Sequence, residues 1–377
     1  MSKPNSMLYK IVFGLFLLFG SYLSFAQTVF KGVIEDSKTG QPIPYATVFL
    51  ANTTFGTTCD DEGKFSLTLP DGNYEVIVRM LGYEGLTFKL PTDIIKPREY
   101  RFRLVAVDEE LETLNVNDTR DPAWFKNLKD FKSYFLGTTY NGQACELEND
   151  LSMILDDQSL PGTLIASSRE ILKIHNPNLG YRLDYLLNDF RYNYKEGFVT
   201  YGGYPLFIPD TTLSTRKQKR VEKNRLEAYH GSLQHFLRSV YTGTTVSEGF
   251  EIRRLYRKDD PKYPGEYIDS VGTELITSLA FRKNRETRAF LEFKGHLQIT
   301  YLNERESPQY IMGMGRNMRN TQTSIVTLIA ESLEIFENGS LSDPFGLLME
   351  GYIGWERVGD LLPIDYLNTA EFKRGVQ

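Results

Sequence analysis

Between Val29 and Val116 apolar and polar residues alternate in short runs, each closed by turn residues. Val29 to Ile34 stops at Asp36-Ser37-Lys38-Thr39-Gly40, and Ala46 to Leu50 is followed, after Asn52-Thr53-Thr54, by Gly56 to Thr58. Lys64 to Leu69 leaves the turn Asp60-Asp61-Glu62-Gly63, Tyr74 to Val78 leaves Pro70-Asp71-Gly72-Asn73, and Glu99 to Val105 closes the set. A period of two marks half-buried strands, and runs at this spacing with Gly, Pro and Asp punctuation predict an all-β sandwich. Pro42 and Pro44, flanking Ile43, suit an edge or a strand entry because proline cannot donate to a central ladder. The three acids before Gly63 suit a solvated hairpin turn; a calcium loop needs six or more oxygens at fixed spacing.

Past the break at Asn117-Asp118-Thr119-Arg120 the period changes. Asp121-Pro122 supplies an N-cap and a first-turn proline, and Trp124, Leu128, Phe131 and Phe135 recur at helical spacing before Gly137. Strand-like segments follow at Leu164 to Ile174, Arg182 to Tyr194, Phe198 to Phe207, Phe250 to Tyr256, Leu275 to Phe281 and Ala289 to Tyr301. Lys195-Glu196-Gly197 fits a hairpin turn between two of them. A second helix is expected from Gln218 to Tyr241, with the apolar stripe Leu226, Tyr229, Leu233, Phe236/Leu237 and Val240. Ile325 to Phe336 fits helix or strand, and Glu337-Asn338-Gly339 fits a turn. The chain is therefore expected to be mainly β, a sandwich followed by a larger β-rich α+β domain.

The N-terminus changes the picture by giving an address. Lys3 and Lys10 precede the apolar run Ile11 to Phe25, and Ser24-Phe25-Ala26 offers small residues for cleavage. This is the three-part pattern of a secretory signal peptide, and the run falls short of the about 20 residues a membrane span needs. No Cys stands at the junction, so no lipid anchor is indicated. The expected organisation is a signal peptide at 1–26, a sandwich at 27–117 and the second domain at 118–377. Losing Lys3 and Lys10 moves the formal charge from −6 to −8, which argues against nucleic acid as a partner. No later segment has about 18 uninterrupted apolar residues, so no transmembrane span is expected in the mature chain. The 23 Tyr and 24 Phe favour strands and leave ample core material.

Candidate chemistry is sparse. Arg216, Lys217, Lys219, Arg220, Lys223 and Arg225 are crowded against the single acid Glu222 at the start of the second helix. In an acidic protein this suits envelope-lipid headgroups or an acidic partner, or else a solvated helix end. Of four histidines, His230 and His235 are five apart on the proposed helix and are expected to face different ways, away from a shared metal. Glu227 and His230 make one E-x-x-H pair, where a di-iron site needs two. Ser232 lacks a G-x-S-x-G frame, and no Lys-Ser/Thr follows Gly313 and Gly315. Cys59 and Cys145 could pair in an oxidising compartment or stay as buried thiols. No catalytic, metal or cofactor site is predicted, and no cofactor is expected.

Gly32 to Ile34, Gly40-Gln41-Pro42-Ile43-Pro44-Tyr45-Ala46-Thr47-Val48, Gly56-Thr57-Thr58, Asp61 to Phe65, Leu69 to Tyr74 and Gly82-Tyr83 together resemble the carboxypeptidase regulatory-like domain. The resemblance implies a seven-stranded transthyretin-like β-sandwich with a non-catalytic, accessory or docking role, of a kind that also precedes the plug of many outer-membrane transporters. Ile174 to Tyr181, Tyr229 to Arg238 and Gly351 to Arg357 resemble the trailing region of two-domain Gram-negative envelope proteins that begin with the same module. Signal, module and missing active site together give the expectation of an exported, non-catalytic envelope protein, in the periplasm or at the outer membrane. It would serve as an accessory subunit of an outer-membrane protein assembly, with a protein partner there. The alternatives are a glycan- or peptide-binding module, using Tyr192, Tyr194, Tyr201 and Tyr204, and a hydrolase with an atypical site at Glu227, His230 and His235. The two helices and the lack of regular ten-residue strands speak against a small outer-membrane barrel.

Overall fold

The computed structural model describes residues 28–70, 72–107, 120–263, 265–282, 288–312 and 314–366. The expected signal peptide, the acidic run Asp108 to Glu112, the break at Asn117 to Thr119, Asp71 and Gly313 lie outside the described residues. The chain divides into two compact units, 1–49 with 56–109 and 50–55 with 110–377.

Seven strands form the first unit: β1 (Thr28–Asp36), β2 (Thr47–Leu50), β3 (Gly56–Thr58), β4 (Lys64–Leu69), β5 (Asn73–Arg79), β6 (Leu86–Pro91) and β7 (Glu99–Leu104). They make two sheets, ordered β4-β1-β7 and β3-β2-β5-β6, with β1 and β7 parallel. The expected sandwich is there, together with β6, which the alternation of Leu86, Phe88 and Leu90 encodes. In β4 every second residue is buried, Phe65, Leu67 and Leu69, as one core face and one wet face require. Gly32 on β1 makes room for its neighbours in the same sheet, since a Cβ there would come 2.7 Å from the Phe65 ring on β4 and 2.8 Å from the Tyr100 carbonyl oxygen on β7. Asp60 Oδ1 accepts from the backbone of Glu62 and Lys64, so the acidic run is a hairpin turn.

The second unit opens with the expected helix, α1 (Pro122–Phe135), where the Asp121 carboxylate accepts from Trp124 N at 2.7 Å. Trp124, Leu128, Phe131 and Phe135 are its buried face. A short helix, α2 (Tyr140–Ala144), leads to β8 (Glu146–Leu147), β9 (Met153–Asp156), β10 (Thr163–Ser168), β11 (Leu172–Asn176), β12 (Tyr181–Asn193) and β13 (Phe198–Pro209). These six form one sheet around the long β12, and the single strand expected over Leu164 to Ile174 is two, β10 and β11. Tyr181, Leu183 and Tyr185 are buried at odd positions of β12, but Phe190 and Tyr192 at even ones. The register against β13 slips between Leu187 and Asp189. A bulge of one residue is what puts both sets on the face that packs against α1.

Next come helices α3 (Thr215–Tyr229) and α4 (Leu233–Thr242). The remaining strands are β14 (Phe250–Asp259), β15 (Tyr267–Val271), β16 (Ala280–Arg282), β17 (Ala289–Leu291), β18 (His296–Tyr301), β19 (Gln322–Leu328), β20 (Leu333–Ile335) and β21 (Leu347–Gly351). Of two one-turn helices, α5 (Pro308–Ile311) lies between β18 and β19 and α6 (Tyr352–Trp355) follows β21. A five-stranded sheet runs β15-β14-β18-β19-β21, and β16-β17-β20 form a smaller one. Phe236, Leu237 and Val240 of α4 pack with Phe250, Ile252, Leu297, Ile299 and Val326 of the larger sheet. Two expectations are corrected here: the strand placed at Leu275 to Phe281 is confined to β16, and Ala289 to Tyr301 is split into β17 and β18. Ile325 to Phe336, open between helix and strand from the sequence, is strand in two pieces. Among the described residues no helix is long and apolar enough to cross a membrane.

Candidate functional site

The basic stretch lies on α3, and its side chains do not behave alike. Arg216, Lys217, Lys219, Arg220 and Lys223 are exposed. Arg220 donates to Tyr140 Oη at 2.8 Å, and Lys223 meets Glu227 one turn on at 3.3 Å. Arg225 departs from this set. Its guanidinium donates to the carbonyls of Leu179 (2.7 Å) and Gly180 (3.1 Å) and stacks 3.9 Å above the Tyr181 ring. The spacing carries the signal: residue 225 follows buried Val221 by four and so shares its inward face.

The single helix expected over Gln218 to Tyr241 is corrected to two. Gly231 adopts φ +75°, a conformation that ends α3, and a Cβ there would come 2.4 Å from Gln322 Oε1. Ser232 then caps α4, its hydroxyl accepting from His235 N at 3.2 Å. The break also overturns the expected separation of the histidines, whose ring centroids are 5.6 Å apart. His235 is 2% exposed, enclosed by Tyr229, Phe250 and Tyr301. Its Nδ1 accepts from Gly231 N (3.2 Å), which assigns the proton to Nε2, 3.4 Å from Glu248 Oε2. Burial, with His230 and Arg238 nearby, pulls its pKa down to about 3, so the ring is neutral at physiological pH. His230 Nδ1 lies 3.8 Å from Glu304 Oε1. No group of three His, Cys, Asp or Glu suited to a metal occurs among the described residues.

Sequence reasoning missed three perturbed acids, the carboxyls of Glu304, Glu356 and Asp360. Burial lifts Glu304 to about 7; a bond from Gln322 Nε2 (3.2 Å) opposes the shift and the charge of Glu227 adds to it. Asp360 is raised to about 6 by burial, against hydrogen bonds from Thr139 Oγ1 (2.8 Å) and Asn141 Nδ2 (3.0 Å). Glu356 is raised well above the ordinary carboxylate range by burial and then by Asp360 and Glu304. These acids sit where motif stretches of the sequence converge. Gly359 donates to Leu136 O (2.9 Å) and accepts from Asn176 Nδ2 (2.8 Å), while Asn178 Nδ2 donates to Tyr140 O (3.1 Å). Trp355 Nε1 donates to Thr138 Oγ1 (2.9 Å), and Ile353 N to Ser324 Oγ (3.0 Å). A Cβ on Gly359 would come 2.4 Å from Gly142 Cα, so both glycines are needed for this approach. Burial at this junction raises three neighbouring acids; Ser232 and His235 are committed to a helix cap and a core.

Cys59 and Cys145 are free thiols, one in each unit, Cys59 buried and Cys145 half-buried. Burial pushes them to about 11 and about 12, which makes them poor nucleophiles. The tyrosines proposed for glycan contact divide. Tyr192 is 8% exposed and stacked on Tyr134, whereas Tyr194 is 39% exposed and donates to Asp130 Oδ2 (2.8 Å). Tyr201 and Tyr204 are half-buried, Tyr201 against Phe135.

With the geometry in place, comparison with known proteins assigns the first unit. Residues 30–116 match the family model of the CarboxypepD_reg-like domain, and the sandwich is such a domain. Among curated relatives, a TonB-dependent receptor P3 of Formosa agariphila is 28% identical over 82 residues, 22% of this chain and 8% of that protein. The TonB-dependent receptor SusC of Bacteroides thetaiotaomicron is 35% identical over 86 residues, again 22% and 8%. This chain thus covers 8% of the length of the relatives it matches. A solved structure from Bacteroides fragilis, of a protein of unknown function described as membrane-associated, aligns over 86% of this chain and 95% of its own. The identity there is 12% and the TM-score 0.18.

Proposed function

We propose that this chain is a non-catalytic protein of the cell envelope that acts as an accessory subunit of an outer-membrane protein assembly. One observation carries the reading: its first unit is a CarboxypepD_reg-like domain of the kind borne by two TonB-dependent receptors. The second unit supports it. Ser232 and His235 in the Tyr229 to Arg238 stretch serve capping and packing, and of its raised acids Glu304 is held by Gln322 and Asp360 by Thr139 and Asn141. The sandwich is then the docking module, and the larger unit presents further contact surface.

Affinity purification of the tagged chain from detergent-solubilised outer membrane tests this. Recovery of an outer-membrane protein in constant ratio to the chain is the expected result. A chain recovered alone from the soluble fraction would defeat the proposal.

A further inference from the structure

The start of α3 holds a concentration of positive charge that the fold uses only in part, through Arg220 on Tyr140 Oη and Lys223 beside Glu227. Arg216, Lys219, Arg220 and Lys223 stand at i, i+3, i+4 and i+7, one exposed stripe about 10 Å long, with Lys217 beside it. Among the described residues Arg216, Lys217, Lys219 and Arg220 make no ion pair. The helix itself opposes this placement. Its N-terminal end carries the positive pole of the backbone dipole, its first turn has no acid, and Ser214 makes no side-chain cap bond. Arg216 and Lys217 thus stand in a first turn where the dipole favours anions, and Lys219, Arg220 and Lys223 extend the positive charge along the helix, in a chain of net charge −6.

From this we infer that the first two turns of α3 dock the protein on an anionic, phosphate-bearing lipid surface, a contact that rests on the envelope reading above. Charge complementarity selects the phosphate, and the make-up of the stripe selects lipid over protein. A protein interface centres on a desolvated apolar or aromatic core and is depleted in lysine. Here the exposed surface from Thr211 to Arg220 is Thr, Ser, Gln, Lys and Arg, with only half-buried Leu213 among them. Three of the five cations are lysines, flexible point charges suited to a laterally mobile array of headgroups. At the edge of the stripe Tyr140 is 55% exposed, its hydroxyl held by Arg220. An amphipathic ring beside cations is what the headgroup level of a membrane accommodates.

The test compares co-sedimentation of the purified full chain with vesicles of phosphatidylglycerol and phosphatidylcholine against vesicles of phosphatidylcholine alone. The change in this preference on mutation is the readout, because any pull of the N-terminal segment with Lys3 and Lys10 is common to the native chain and both variants. Each surface cation contributes roughly a fivefold factor. The triple variant Arg216→Ser, Lys217→Ser, Lys219→Ser should therefore weaken the anionic preference by roughly 100-fold. A control with the same charge change on the sandwich, Lys38→Ser, Lys64→Ser, Lys89→Ser, should keep it. Raised salt should weaken the native chain steeply and the triple variant little. Near-UV circular dichroism verifies that both variants are folded. Equal affinity of the native chain for both vesicles would overturn the inference, as would equal losses in the two variants. So would a triple variant that keeps its vesicle preference and loses a co-purifying acidic protein. A chain that prefers anionic vesicles yet recovers no outer-membrane protein would leave this docking standing and remove the assembly role.

Discussion

Glu304 offers a prediction whose sign can be worked out from the structure. Its carboxyl, ordinarily at 4.5, titrates at about 7 because it is taken out of water; Gln322 donates to it, and Glu227, Glu356, His230 and Tyr352 lie around it. A raised folded pKa means the native state keeps a proton that the unfolded chain releases. The stability this confers is whole below about pH 4.5 and is lost as pH rises through about 7. At about 1.4 kcal/mol per pH unit the ceiling is roughly 3 kcal/mol, and with 28% of the side chain exposed about 2 kcal/mol is a fair expectation. Glu304→Gln keeps the shape and an acceptor for Gln322 but never ionises. Urea unfolding of both proteins between pH 4.5 and 8 should show equal stability at the acid end. At pH 8 the variant should be about 2 kcal/mol more stable. A variant less stable at pH 8, or a difference that ignores pH, would refute the argument that burial of charge sets this acid.

His235 runs the other way: its depressed pKa contributes stability that is whole above about 6.5 and lost as pH falls toward about 3. Its imidazole signals in two-dimensional nitrogen NMR should show the Nε2-protonated neutral form down to about pH 4, and protonation near pH 6 would contradict the burial argument. Gly359→Ala should cost roughly 2 kcal/mol in denaturant unfolding, because a Cβ would press on the Gly142 backbone, which has no flexible end to yield. A neutral result would show that this contact can relax. Arg225→Ala should lower stability by about 1–3 kcal/mol, since two carbonyls and a ring lose their cation, while Arg216→Ala should stay within about 0.5 kcal/mol. Equal effects would deny the division of the basic stretch. Both thiols should resist alkylation at pH 8 in the folded chain and react fully once it is unfolded without reductant. A peptide joining Cys59 to Cys145 in a non-reducing digest would contradict this.

Much of the fold was legible because its cues are local. The Asp121-Pro122 cap with Trp124, Leu128, Phe131 and Phe135 specifies α1, and the turns after Asp36, Asp60 and Pro70 delimit the sandwich strands. What was misread needed more than periodicity. The stripe Leu226, Tyr229, Leu233, Phe236 continues across Gly231, so apolar spacing alone joins α3 to α4, and only the positive φ of that glycine separates them. The alternation in β12 changes phase between Tyr185 and Phe190. A phase change is visible in sequence, but that a bulge repairs it depends on the partner strand. The acids Glu304, Glu356 and Asp360 look like surface carboxylates in sequence. Their perturbation arises from burial where distant segments meet; Thr139 and Asn141, more than 200 residues away in sequence, reach Asp360 and oppose its shift, and no local pattern encodes that. Arg225 stood in a run of cations and was grouped with them by composition, although its four-residue distance from Val221 already placed it inward.

Photo-cross-linking in living cells reports whether the sandwich docks on a partner in the envelope. Leu81, 82% exposed on the CarboxypepD_reg-like domain, is replaced by a photoreactive phenylalanine, with the same substitution at Tyr45 and Ile94 to sample other parts of the domain. At least one position should give a discrete, light-dependent adduct with an outer-membrane protein. Absence of any such adduct at all three positions, from cells in which the chain is exported and folded, would contradict it.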